Sequence, residues 1–169
     1  MLKPALLFKQ ELEKIFAEKI YTEDFFYYVG YPQYFKLPKI KDEENLYQWA
    51  VVDDDKLIGY LTYRIDLYTN NVYNIGLISF DKGNIKLARD VYNKLIEFIN
   101  NYHRIEWRAI EGNPAIRSYS RFCKSHKGQI LKCRDAVKDL NGNYRNEYVF
   151  EIINEVENND KTRRTNKWL

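Results

Sequence analysis

Apolar residues recur at helical spacing from Pro4 to about Ile20, where Leu7, Leu12, Ile15, Phe16 and Ile20 alternate with Lys and Glu. This predicts an amphipathic helix. The aromatic stretch "YTEDFFYYVGYPQYFKLPKIKDEEN" follows, with Thr22 placed to cap a short second helix through Tyr28, and Gly30 and Pro32 placed to end it. The period then changes to two. "LYQWAVVDDDKLIGYLTYRIDLY" reads as a strand, an acidic turn at Asp53 to Asp55, and a second strand. In that second strand Leu57, Leu61, Tyr63, Ile65 and Leu67 share one face, and Tyr60, Thr62, Arg64 and Asp66 the other. Asn70-Asn71 makes the next turn. "VYNIGLISF" is apolar on both faces, as in the middle of a covered sheet.

After Phe80 the helical period returns, with Ala88, Val91, Tyr92, Leu95, Ile99 and Tyr102 as the apolar stripe. This helix runs into an alternating stretch from Arg104 to Ile110, so residues 72–110 read as a right-handed crossover between parallel strands. Asn113 and Pro114 form an N-cap and first-turn pair for a further helix to about Lys124. "QILKCRDAVKDLNGNYRNEYVFEII" gives two strands around Asn141-Gly142. The expected fold is α/β of the α+β kind, a mixed and mostly antiparallel sheet with helices on both faces. One domain is expected over 1–153, with N-terminal helices in 4–30 and the sheet core in 46–153, followed by a polar, frayed tail over 154–169. In such sheets ligands sit beyond the C-terminal ends of the parallel strands, here Phe80 and Ile110.

Composition narrows the function classes. A net charge of +3, part of it in the tail "KTRRTNKWL", is too small to argue for a nucleic-acid groove. Cys123 and Cys133 have no second pair, which points to two reduced thiols in a cytoplasmic protein rather than to a disulfide framework or a zinc site. The start "MLKPALLFKQELEK" does not read as a signal peptide, and no stretch reaches the roughly 20 apolar residues that a bilayer requires. Neither a membrane nor a metal is therefore expected as a partner.

Two stretches resemble the GNAT superfamily of N-acetyltransferases. "GLISFDKGNIKLARDVYNKLIEFI" is similar to its strand, phosphate loop and helix. "RIEWRAIEGNPAIRSYSRF" is similar to the next strand, turn and helix, through Asn113, Ala115, Ile116, Arg117 and Tyr119. The second stretch particularly resembles small acetyltransferases encoded by phages of low-GC bacteria. The likeness spans about Leu46 to Ile152. It implies that acetyl-CoA lies between two parted strands, with Ile78, Ser79 and Phe80 offering amides to its pantetheine arm. Lys82, Gly83, Lys86, Leu87, Ala88 and Arg89 would surround its pyrophosphate at a helix N-terminus. Asn113 would contact the cofactor near the pantetheine, and Tyr119 would protonate the leaving thiolate.

The acceptor implied is a primary amine on a small molecule or a protein. The phosphate loop departs from the family's Q/R-x-x-G-x-G/A pattern, since Gly83 stands alone and Asp81 repels phosphate. This departure, and the lack of a carboxylate in "VYNIGLISF", keep a second class open: a GNAT-fold binding or regulatory module without catalysis. For the base, Glu106, Glu111, Asp66 and a water relay are equal candidates. The aromatic segment Phe25 to Phe35 suits an acceptor-pocket wall, core, or a homodimer contact equally. Trp107 is expected under the sheet, His103 and His126 at helix-end carbonyls, and Cys123 in the core.

Overall fold

The computed structural model describes residues 1–20, 22–29 and 37–154. Its strands are β1 (Leu2–Pro4), β2 (Leu46–Asp53), β3 (Lys56–Asp66), β4 (Asn71–Ser79), β5 (Arg104–Ile110), β6 (Gln129–Lys138) and β7 (Tyr144–Ile153). Its helices are α1 (Lys9–Lys19), α2 (Glu23–Val29), α3 (Ile85–Asn101) and α4 (Ile116–Ser125). The strands make one mixed sheet in the order β1-β2-β3-β4-β5-β7-β6. Among the described residues only β4 and β5 pair in parallel, joined by α3.

Each face of the sheet has its own core. On one face Leu61, Tyr63, Ile65, Ile105, Trp107, Ala109, Phe150 and Ile152 pack with Leu87, Val91, Leu95 and Phe98 of α3 and Phe122 and Cys123 of α4. On the other, Ala50, Val52, Tyr60 and Ile78 pack with Leu12 and Phe16 of α1 and Phe25 of α2. Alternation along the strands divides these residues between the two layers.

Three details differ from the periodic reading. The N-terminal helix begins only at Lys9, because Leu2–Pro4 forms an edge strand on β2 and Ala5–Phe8 a 3-10 turn. Leu7, in that turn, is 73% exposed. Leu57 does not share a face with Leu61: Val51 pairs with Gly59 and Val52 with Leu57, so Ile58 is an extra residue and the alternation flips there. The buried stripe of α3 is Leu87, Val91, Leu95 and Phe98, about one residue round from the expected stripe, which leaves Ala88 exposed.

Thr22 leads into α2 with its carbonyl, which accepts from Phe25 and Phe26, while its hydroxyl donates back to Lys19. Gly30 and Pro32, expected to end α2, lie outside the described residues, as does the tail from 155 onward. The β6–β7 turn is organised by Asp139, whose Oδ1 accepts from the amides of Asn141 and Asn143 and whose Oδ2 meets Arg145 Nε at 2.9 Å. No helix among the described residues is long and apolar enough to cross a membrane.

Candidate functional site

β4 and β5 pair at Asn71–Arg104, Val72–Ile105 and Ile75–Trp107, and then part. Beyond that point β4 stays bonded to β3 up to the Gly59–Ser79 pair, and β5 to β7 up to Ile110–Glu147. The parting has a local cause. Thr62 pairs with Gly76 and Arg64 with Tyr73, so β4 spends one residue more than β3 over this span. Asn74 lies in the bulge with φ +52 and bends the strand away.

Backbone direction decides which amides face the gap. The Phe80 amide donates to Ile58 O at 2.9 Å, and Ile78 O points at Gly59 in β3. Successive residues of a strand alternate in direction, so Ile78 and Phe80 are turned to β3 while Leu77 and Ser79 present their backbone groups to the gap. Among the expected amide donors, only Ser79 therefore faces it. Leu77 had no signal of its own in the sequence, because backbone direction depends on the register with β3.

A cavity of about 400 Å3 lies at the gap's mouth, lined by Leu77, Ile78, Ser79, Lys82, Gly83, Asn113, Pro114, Ala115 and Tyr119, with Tyr27 and Tyr28. It shares Leu77, Asn113 and Tyr119 with a small cavity deeper in the gap, which Gly76, Trp107 and Arg108 also line. A third cavity, about 530 Å3, continues on the α2 side, between Tyr27, Tyr28, Thr62, Gly76, Trp107, Arg108, Glu106 and Glu147. Thus the structure brings Ser79, Lys82, Gly83, Asn113 and Tyr119 together. It turns others away. Lys86 is held by Asp53 at 2.5 Å, which raises its pKa. Arg89 borders a different hollow with Met1 and Leu2, and the Leu87 side chain is buried against Gly59.

The start of α3 is partly satisfied from within. Asn84 Oδ1 accepts from Leu87 N at 3.0 Å, and Asn84 Nδ2 donates to Asp81 Oδ2 at 3.0 Å. The amides of Ile85 and Lys86 lie in the first turn, where no helical acceptor precedes them. At the other helix, Asn113 Oδ1 accepts from Ala115 N at 2.8 Å and Asn113 O from Ile116 N at 3.1 Å, so Asn113 caps a turn that leads into α4. Helical structure accordingly begins at Ile116, two residues after the expected Pro114.

Tyr119 projects from α4 into the gap, edge-on to the rings of Trp107 and Phe150 with centroids 6.2 and 5.9 Å away. Burial pushes its phenol up to about 12. Trp107 stacks on Phe150 at 5.2 Å, and its buried Nε1 finds no partner among the described residues.

α2 roofs the gap. A Cβ on Gly76 would stand 2.8 Å from Tyr28 Cε2, and one on Gly112 (φ +95) would stand 2.6 Å from the Tyr27 hydroxyl. The Tyr28 hydroxyl bonds to that of Tyr60, which accepts from Gln48 Nε2 at 2.6 Å; burial raises both phenols. Of the aromatic segment, Phe25 and Phe26 are buried, Tyr27 and Tyr28 line the cavities, and residues 30–36 lie outside the described set.

The candidate bases separate. Glu106 lines the third cavity, paired with Arg104 at 2.6 Å and Arg108 at 3.2 Å. Glu111 Oε2 holds the Asn146 side chain, and Asp66 caps the turn at the far end of β3 through Tyr68 N and Thr69 N. Glu147 joins the site from β7, unnoticed in the sequence, where "NEYVFEII" reads as plain alternation; its signal is a carboxylate on an inward-facing register position. Cys123 is buried and donates to Gln129 O, and burial raises its pKa. His126 Nδ1 lies 2.9 Å from Phe122 O and His103 Nδ1 3.2 Å from Asn154 O. No group of three His, Cys, Asp or Glu side chains among the described residues could hold a metal ion.

No protein-family profile matches this chain. No curated protein sequence matches it either. Its fold does match solved structures. A probable acetyltransferase of the GNAT family from Chromobacterium violaceum aligns over 91% of this chain and 86% of its own, with TM-score 0.61 and 20% identity. Arabidopsis thaliana NAA60, solved in complex with a bisubstrate analogue, aligns over 90% of this chain and 98% of its own, with TM-score 0.58 and 16% identity. The ribosomal-protein-S18-alanine N-acetyltransferase of Escherichia coli covers 67% of this chain and 72% of its own, with TM-score 0.51 and 14% identity.

Proposed function

We propose that this chain, which has the fold of GNAT-family acetyltransferases, moves an acetyl group from acetyl-CoA to a primary amine by direct transfer. The observation that supports this most is the parting of β4 from β5 beside Tyr119, with backbone groups of Leu77 and Ser79 turned into the opening. These groups would pair with a pantetheine arm as an added strand would, and one amide would face the thioester oxygen. The open ground around Gly83, where nothing lies within 4 Å of a would-be Cβ, and the first-turn amides Ile85 and Lys86 fit a pyrophosphate, with Lys82 beside them. Acetyl-CoA supplies the activated acyl group.

In this reading the acceptor enters from the cavity beneath Tyr27 and Tyr28, and its neutral nitrogen forms the new C–N bond as the C–S bond breaks. The amine's extra proton passes to water there. Tyr119 gives its proton to the departing sulfur. A phenol is already protonated at neutral pH at its ordinary value of about 10, so the proton is in place to be given. The likeness to phage-encoded acetyltransferases belongs to this reading. So does the cytoplasm, which suits the free Cys123 and Cys133.

A second reading, a binding module without catalysis, is favoured by the start of α3, where Asn84 and Asp53 already occupy groups that a phosphate would use. Two measurements decide. Acetyl-CoA at a hundredfold excess over Kd should stabilise the chain by about 2.7 kcal/mol, and a suitable amine should release coenzyme A. Stabilisation without release under any amine favours the module; no stabilisation at millimolar acetyl-CoA overturns acyl transfer.

A further inference from the structure

We infer that Glu147 selects acceptors that carry a second positive charge, remote from the amine that is acylated. The inference takes its setting from the proposed acyl transfer. It starts from a line of alternating charges on the α2 side of the sheet. Glu151 meets Arg104 at 2.6 Å, Arg104 meets Glu106 at 2.6 Å, Glu106 meets Arg108 at 3.2 Å, and Arg108 meets Glu147 at 3.4 Å. Among the described residues, three carboxylates face two guanidiniums in this line, one negative charge in excess.

That excess sits at the Glu147 end. The contacts lengthen toward it, and its only ion-pair partner among the described residues, Arg108, is shared with Glu106. Glu147 is also the most buried member, with a side chain 9% exposed against 17% for Glu106 and 19% for Glu151. A carboxylate so buried is costly unless a cation meets it closely. The 530 Å3 cavity that it lines, with Tyr27 and Tyr28 at its wall, has room for one.

Position separates this cation from the reacting nitrogen. Glu147 stands on β7, opposite Ile110, with β5 between it and the gap. From β7 to β4 there are two inter-strand steps, about 10 Å, the second of them widened by the gap. A nitrogen attacking beside Leu77 is therefore too far for Glu147 to touch. An ammonium or guanidinium several bonds away on the same acceptor meets it.

The test uses hexylamine and 1,6-diaminohexane, which differ by one ammonium group, with calorimetric binding and coenzyme A release read in parallel. The wild type should bind the diamine about tenfold more tightly than the monoamine, and Glu147→Gln should erase most of that preference. Glu147→Asp, which keeps the charge, should restore part of it. Equal affinity for the two amines in the wild type, or an unchanged ratio in Glu147→Gln, overturns the inference. The wild-type comparison holds even if a variant fails to fold. Diamine preference without coenzyme A release sinks acyl transfer and leaves this selection standing.

Discussion

Ile75 and Trp107 are the last residues at which β4 and β5 face one another as a parallel pair. Past them each strand remains bonded to its outer neighbour, β4 to β3 and β5 to β7. The opening between them is therefore held by ladders on both sides, with only the backbone groups that line it left for a ligand.

Tyr119 stands at that opening, and Tyr119→Phe tests its part in the chemistry. Removing a general acid should lower kcat by about a hundredfold. The rings of Trp107 and Phe150 keep their contacts with Phe, so the affinity for acetyl-CoA should stay within about twofold. Full turnover in the variant would remove Tyr119 from the mechanism.

Backbone direction in β4 is testable with proline. Ser79→Pro removes an amide that points into the gap and none that β3 uses, so the fold should persist while acetyl-CoA binding weakens. Ile78→Pro removes an amide turned to β3, leaves its ladder partner unsatisfied and should destabilise by about 1–3 kcal/mol. Urea midpoints and cofactor titration separate the two. If Ser79→Pro binds acetyl-CoA like the wild type, the gap-facing amides play no part in binding.

Stability at high pH carries a signature of Tyr119. Its pKa is raised from 10.0 to about 12 by burial. The folded state thus disfavours the phenolate. The associated stability is whole below pH 10, declines as pH rises toward 12, and is gone above it. The decline is about 1.4 kcal/mol for each pH step of one between those limits. Tyr119→Phe should therefore lose less stability between pH 10 and 12 than the wild type, as read from urea midpoints. Parallel losses would place the phenol in contact with solvent.

Asn113 holds the turn into α4 through Ala115 N at 2.8 Å. Asn113→Ala should cost about 1 kcal/mol, and Asn113→Asp, which keeps an acceptor oxygen, should cost less. Gly112→Ala should cost more than about 1 kcal/mol, because φ is +95 and the new methyl meets the Tyr27 hydroxyl. Thermal melts rank the three. A harmless Gly112→Ala would mean that α2 does not press on this turn.

Much of the molecule was legible in the chain. Periods of two and 3.6 residues marked β2 through β7 and the helices α1, α3 and α4, because each element must hide one face and the spacing records which. The β4–α3–β5 crossover and the Asn113–Tyr119 stretch, which led to the acetyltransferase likeness, were legible for the same reason: they are contiguous. Leu2–Pro4 was not, since three residues hold no period and become a strand only by lying on Val51, Ala50 and Trp49.

What the sequence determined by itself, then, is the order and type of the elements and the residues at their junctions, because those follow from neighbours along the chain. The tertiary structure alone decided the rest. A single unpaired residue at Asn74 opens the gap, and the register with β3 turns Leu77 and Ser79, rather than Ile78 and Phe80, toward it. Tyr28 came to rest over Gly76, and Glu147 joined Glu106 in one cavity. Bulges, registers and encounters between distant strands arise from pairing partners far apart in sequence, and no local spacing records them.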